Sequence, residues 1–424
     1  MVTSVLSGGT PAQPATPATP ATPATPATPA TPATPATQPT AKWEPDVFPI
    51  SFWCGVPVKF ISLERYQEVA DAGFTHAMPG LEQGTPTRED NLRTLDYCRA
   101  VGIKAFLYDN RMPTGFDDNG EGKERIDAIV ADYGNHPAFA GYFIGDEPGA
   151  GAFPALAQTF AYLAEKDPTH PAYVNLYPNY CPPHGLGTAT YDEYIQRWLA
   201  EVKPAILSYD HYHFMNQYDR PGFFANLAVV RREALKANVP FWQIALLINH
   251  FDYRLPTEAE KRFEAMQTLA YGGKGFMYFT YWQPGKDWGT AIINLDGTRT
   301  HQYEEVKRIN RDVQAIGKHL LKAKSTAVIQ MGQDGDTINT GKDAVRFDGP
   351  HITVGLFDGP GERRYAMFAN RDYRNETTAP VTLETGGKKL QLLDKQTGEW
   401  REVALTDGKV QLKLAAGDGE LYRW

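Results

Sequence analysis

From Lys42 onward, short apolar runs alternate with stretches whose apolar residues recur at helical spacing. Runs at 48–53, 75–78, 104–108, 141–144, 173–176, 206–209, 241–246 and 275–281 have the length and bulk of buried strands. Between them, 63–72, 88–101, 123–133, 153–166, 191–202, 222–237 and 257–271 read as amphipathic helices, and 301–321 follows the last run. Such alternation predicts a parallel sheet covered by helices. The number of pairs and the length they occupy fit an α/β fold of the (β/α)8 TIM-barrel type, whose usual size is about 250 residues. A doubly wound sheet would carry a glycine-rich phosphate loop after its first strand, and none follows residue 53.

The helical period stops near residue 322. Segments 344–347, 351–356, 364–370, 381–384, 389–394 and 410–414 read as short strands. Turn signals such as Asp348-Gly349, Asp358-Gly359 and Thr406-Asp407-Gly408 separate them. The expected organisation is therefore a linker over 1–42, a barrel over 43–322 and a small antiparallel β-sandwich over 323–424. The linker repeats Pro-Ala-Thr from 14 to 37, a low-complexity pattern that favours a semi-extended spacer over a packed element.

Composition narrows the partners. A net charge of −8 gives no nucleic-acid footprint, and no apolar stretch is long enough to span a bilayer. The 3 cysteines form neither a disulfide framework nor a metal-finger pattern. Leu6-Ser7-Gly8 resembles the end of a lipoprotein signal, but Gly9 stands where a cysteine would follow. The spacer points to a tether at a cell surface, and so to a secreted, periplasmic or surface-held protein. The 22 tyrosines and 8 tryptophans suit either stacking on sugars or filling a large core.

The candidate chemistry sits at the strand ends, where barrels of this kind build their active sites. Asp146-Glu147-Pro148 closes the fourth run. Asp109 follows the third, Asn175 and Tyr177 lie in and after the fifth, and Tyr209-Asp210-His211-Tyr212 closes the sixth. Trp242 and Gln243 lie in the seventh, and Tyr281-Trp282 ends the eighth. Each has a plainer reading, since an aspartate after a strand often caps the next helix. Asp210, His211 and His213 could also ligate zinc, although the first strand lacks the His-x-His of barrel metallohydrolases. No metal and no cofactor is expected.

Residues 43–320 resemble the clan A barrel glycoside hydrolases, through the acid-Pro turn after strand four, the Tyr/His-rich end of strand six and the Tyr-Trp closing strand eight. The resemblance implies a carbohydrate substrate, Glu147 as general acid/base and Trp282 as the floor of a sugar subsite. Two positions depart from that pattern. Asp146 replaces the usual asparagine, and Gln243 stands at the apparent place of the strand-seven nucleophile. An amide cannot form a glycosyl ester. Three mechanisms stay open. Glu147 and Asp210 could invert, with their carboxyls about 6.5–9.5 Å apart. Asp146-Glu147 resembles the pair of substrate-assisted hexosaminidases; Asp146 would then orient a 2-acetamido group and Tyr209 would stabilise the cyclic intermediate. Asp210 could itself be the nucleophile. The competing class is a carbohydrate-binding pseudoenzyme that keeps Trp282, Trp242, Tyr177 and Tyr212 as stacking platforms.

Overall fold

The computed structural model describes residues 43–116, 120–330 and 351–424, and the backbone of 345–347. The expected linker and the turn at 348–349 lie outside the described residues. Eight parallel strands make up the first sheet: β1 (Ile50–Phe52), β2 (His76–Ala77), β3 (Lys104–Leu107), β4 (Phe139–Asp146), β5 (Ala172–Leu176), β6 (Leu207–Asp210), β7 (Phe241–Leu246) and β8 (Gly275–Phe279). Their order is β1-β8-β7-β6-β5-β4-β3-β2, so the sheet curls until β1 and β2 face each other. No ladder joins these two. Instead the Thr75 N–H donates to the Ile50 carbonyl at 3.0 Å, and the Ile50 N–H donates to the Thr75 hydroxyl at 2.8 Å. A β-branched hydroxyl thus stands in for a ladder bond at the seam.

The helices of the outer layer are α1 (Leu63–Asp71), α2 (Arg88–Val101), α3 (Glu121–Tyr133), α4 (Phe153–Lys166), α5 (Pro183–Leu186), α6 (Tyr191–Arg197), α7 (Phe223–Ala237), α8 (Glu258–Ala270) and α9 (Gln302–Leu320). Local chemistry fixes several ends. Thr87 and Asp90 form a capping box that starts α2, and Gly102 ends it in the left-handed region at φ 77°. Thr257 and Glu260 do the same at the start of α8.

Strand alternation divides the side chains between lumen and helix layer. Inside the lumen, Trp242 lies 6.4 Å from His76, 6.0 Å from Phe106 and 5.9 Å from Tyr173, measured between ring centres. Trp43 closes the N-terminal end, 5.1 Å from Trp242. The lower barrel is therefore a packed aromatic core, and the candidate chemistry lies at the C-terminal mouth.

The remaining strands are β9 (Lys324–Gln330), β10 (Val345–Phe347), β11 (Ile352–Asp358), β12 (Arg364–Asn370), β13 (Thr377–Leu383), β14 (Gln391–Leu393), β15 (Trp400–Glu402), β16 (Lys409–Leu414) and β17 (Gly419–Arg423). They form a six-stranded sheet, β15-β14-β17-β12-β11-β9, and a three-stranded one, β10-β13-β16. Val354, Leu356 and Phe368 of the larger sheet share a core with Val381 and Leu412 of the smaller. The opposite face of the larger sheet, with Phe357 and Met367, joins the barrel core. Gly355 permits that approach, since a Cβ there would lie 2.0 Å from the Ala270 carbonyl oxygen in α8.

The architecture is the one the hydrophobic pattern predicts. Three strands, β9, β15 and β17, escape that pattern. The eighth barrel strand is also shorter than expected: it stops at Phe279 rather than 281.

Candidate active site

Asp146 is the last residue of β4. Glu147 follows with φ 45°, in the left-handed region that residues other than glycine rarely occupy. Its N–H still pairs with β5, donating to the Asn175 carbonyl at 2.8 Å. Strain of this kind persists where surrounding contacts over-determine it, most often at functional sites. It sends two adjacent carboxyls to different partners. Asp146 Oδ1 accepts from Asn175 Nδ2 at 3.1 Å, while the Glu147 carboxyl shares a hydrogen bond with that of Asp210. Asn175 Nδ2 also donates to Asp210 Oδ1 at 3.0 Å, so one buried amide holds an acid on each side.

None of the three acids has a lysine or arginine among the groups that set its charge state. Burial pushes Asp146 up to about 7, helped by the charges of Glu147 and Glu82 and opposed by the Asn175 amide. Burial raises Glu147 as well, against the hydrogen bond from Asp210. Asp210 is raised strongly by burial, then by Glu147 and Asp146. Two carboxyls in contact, one buried and with no cation beside them, do not both ionise readily, so Glu147 and Asp210 hold one proton between them as a pair.

Aromatic rings wall this mouth. Trp53, at the end of β1, lies 5.1 Å from Phe143. Tyr212 lies 5.4 Å from Phe279, the last residue of β8. Burial, and then the negative charges of the three acids, raise both Tyr177 and Tyr212. Tyr180 accepts from the Tyr212 N–H at 3.3 Å and carries the Arg220 guanidinium 3.9 Å above its ring.

Several expected site residues lie elsewhere. Asp109 binds Arg111 at 2.7 Å and accepts from the Tyr133 hydroxyl at 2.8 Å, which makes it part of a structural ion network. Tyr209 and Gln243 point out of the lumen into the helix layer. Gln243 Oε1 accepts from Thr268 in α8 at 2.6 Å and from Tyr209 at 3.4 Å. Gln243 therefore does not fill a nucleophile's place, and Tyr209 cannot reach an intermediate in the mouth. His211 takes the side opposite Asp210, against Asn226 at 3.1 Å, and burial lowers it to about 3. His213 Nδ1 lies 2.8 Å from the Arg220 carbonyl. Among the described residues no group of three or more His, Cys, Asp or Glu is arranged to hold a metal ion.

Depth and direction account for the tryptophans and Tyr281. Trp242 has the right parity but lies near the floor, beside Trp43. After Phe279 the chain runs along the extension of β1, with the Tyr281 and Trp282 N–H groups donating to the Trp53 and Cys54 carbonyls. Tyr281 consequently stacks on Phe52 at 4.5 Å, and Trp282 is buried against Phe60 at 4.7 Å. Phe279 takes the mouth position expected of Trp282. Phe279 and Trp53 were readable from period two: Met277 and Phe279 share one parity in β8, Ser51 and Trp53 in and after β1. The Glu147–Asp210 contact is tighter than the spacing of about 6.5–9.5 Å that an inverting pair uses.

No family model and no curated protein sequence matches the chain. Solved structures do match. A putative alpha-galactosidase/melibiase from Bacteroides fragilis superposes with a TM-score of 0.53 at 10% identity, over 89% of this chain and 79% of that one. A GH51 arabinofuranosidase from Xanthomonas axonopodis pv. citri gives 0.49 at 11% identity, over 91% and 97%. The first of these establishes a shared fold of barrel and β-layers.

Proposed function

We propose that this protein is a glycoside hydrolase in which Glu147 is the general acid and Asp146 assists a 2-acetamido group of the substrate. The observation that carries the reading is the divided pair at the end of β4: one carboxyl is held by an amide, and the other shares a proton with Asp210. The end of β7 offers Leu246, Leu247 and Ile248, with no carboxylate to act as nucleophile. The alpha-galactosidase likeness agrees with carbohydrate chemistry, although at its identity it speaks for the fold.

In this mechanism Glu147 gives its proton to the glycosidic oxygen as the bond to the anomeric carbon breaks. The acetamido oxygen bonds to that carbon from the other face, and Asp146 accepts the acetamide N–H. Glu147, now a carboxylate, takes a proton from water. The water oxygen adds to the anomeric carbon and the cyclic intermediate reopens with net retention. Asp210 keeps the shared proton available to Glu147, and Tyr177 or Tyr212 takes the place expected of Tyr209. A pure sugar binder has no need of a proton-sharing pair.

Matched aryl glycosides test this. The 2-acetamido and 2-hydroxy forms of gluco- and galacto-sugars, in both anomers, are assayed with wild type and Glu147→Gln. Turnover of acetamido members alone, lost in the variant, supports the mechanism. Comparable turnover of a 2-hydroxy sugar excludes the role given to the acetamido group.

A further inference from the structure

A second group of rings on the rim has no part in this chemistry. The loop after β7 carries Phe251, which is 91% exposed and has φ 47°. A bulky residue in the left-handed region is a genuine outlier, and here no burial of the ring offsets the strain. Phe251 lies 5.8 Å from Trp288, which lies 5.7 Å from Phe279. Phe279 adjoins Tyr212 beside the acids, so a continuous line of rings runs from the catalytic mouth to the rim. A cavity of about 370 Å³ opens at the rim end of this line, bordered by Phe251 and Trp288 and edged by Asn216, Lys286 and Asp287. Its two loops are locked together: the Gly289 N–H donates to the Asn249 carbonyl at 2.9 Å, and the Thr290 N–H to Asn249 Oδ1 at 3.0 Å. A platform fixed before binding spends little on ordering.

We infer that this rim cavity is a second sugar subsite, in which Phe251 and Trp288 stack on the apolar face of a further unit of the same glycan. The polar groups at its edge suit ring hydroxyls. The substrate class is then an oligosaccharide or longer glycan rather than a simple monosaccharide glycoside. This inference rests on the carbohydrate reading above, and the ring contacts through Trp288 and Phe279 toward the mouth identify the occupant.

The test uses the full chain carrying Glu147→Gln on an array of immobilised monosaccharides and of oligosaccharides that contain them. The same array is read with Phe251→Ala and Trp288→Ala added. At least one oligosaccharide should bind about tenfold more tightly than its component monosaccharide, and either added change should remove most of that advantage. Melting temperature checks that the exposed Phe251 can be truncated without unfolding. The inference is overturned if no oligosaccharide exceeds its monosaccharide, or if the preference survives both changes. Aryl-glycoside turnover by the wild type, measured separately, keeps the two readings apart. Turnover without an oligosaccharide preference leaves the hydrolase reading and removes the subsite. A Phe251-dependent preference without turnover on aryl glycosides or on the bound oligosaccharide leaves the subsite and removes the hydrolase reading.

Discussion

Two neighbouring strands end in aspartates with opposite fates. Asp109, just after β3, meets Arg111 and the Tyr133 hydroxyl, and those hydrogen bonds hold its carboxyl below the usual range in spite of burial. Arg111 also reaches Asp132, which is bound in turn by Arg88, so the network runs out to the helices. Asp146, at the end of β4, is driven up to about 7 by desolvation and then by two like charges, with only one neutral amide opposing them. Residue type and barrel end are shared. The nearby cation decides which carboxylate is scaffold and which is left reactive.

Glu147→Gln tests the reactive side most severely. Turnover should fall by about 10³-fold or more, with the melting temperature unchanged or higher, since the substitution removes a half-buried acid that faces two others. The same variant should lower the pKa of Asp146, because one charge that raises it is gone; carboxyl NMR titration would show this. An unmoved Asp146 would mean the two acids are not coupled.

Asp146→Asn should cost about 10²-fold in kcat while stabilising the fold at pH 8 by only about 1 kcal/mol, because solvent screens this exposed side chain. The sign follows from the raised pKa. The folded state binds the proton more tightly than the unfolded one, so stability declines from about pH 4 to about pH 7 and is level above. Urea denaturation across that range should show a shallower decline in the variant than in wild type, the remainder belonging to Glu147 and Asp210. Asp109 behaves oppositely. Its lowered pKa contributes stability that is complete above the unfolded value and fades as pH falls through the folded one.

Arg111→Met should sharpen the contrast from the scaffold side. It leaves buried Asp109 without its cation and should destabilise the protein by about 1–3 kcal/mol, a range reduced because Arg111 is partly exposed. The pH dependence of kcat should keep its shape. A shifted profile would place the network in the catalytic machinery. Tyr133→Phe is the mildest change, removing the hydrogen bond to Asp109 and the one from Asn91 Nδ2 at a cost of about 1–2 kcal/mol in urea denaturation.

Sequence pattern carried the barrel because eight buried strands and their amphipathic partners are written in local periodicity. It also carried the pair at 146–147, whose position at a strand end is what matters. It missed β17, whose polar-apolar mixture gives little sign that it lies between β14 and β12 in the larger sheet. At the site, the errors came from two quantities that composition at a strand end does not contain. Parity sent Tyr209 and Gln243 outward, and depth put Trp242 near the floor. The strain at Glu147 and the cation beside Asp109 belong to three-dimensional neighbours, so no local pattern announces either.

The seam between β1 and β2 has a consequence for time scales. A sheet opens most readily where its ladder is thinnest, and here a single threonine side chain does part of a ladder's work. Backbone amides around Ile50 and Thr75 should therefore exchange with solvent deuterium sooner than those of β4 to β8. Trp53 stands at the top of the same seam. A ligand seated against that indole would draw β1 toward its neighbours, and the slowing of exchange at Ile50 would record its arrival from one end of the strand to the other.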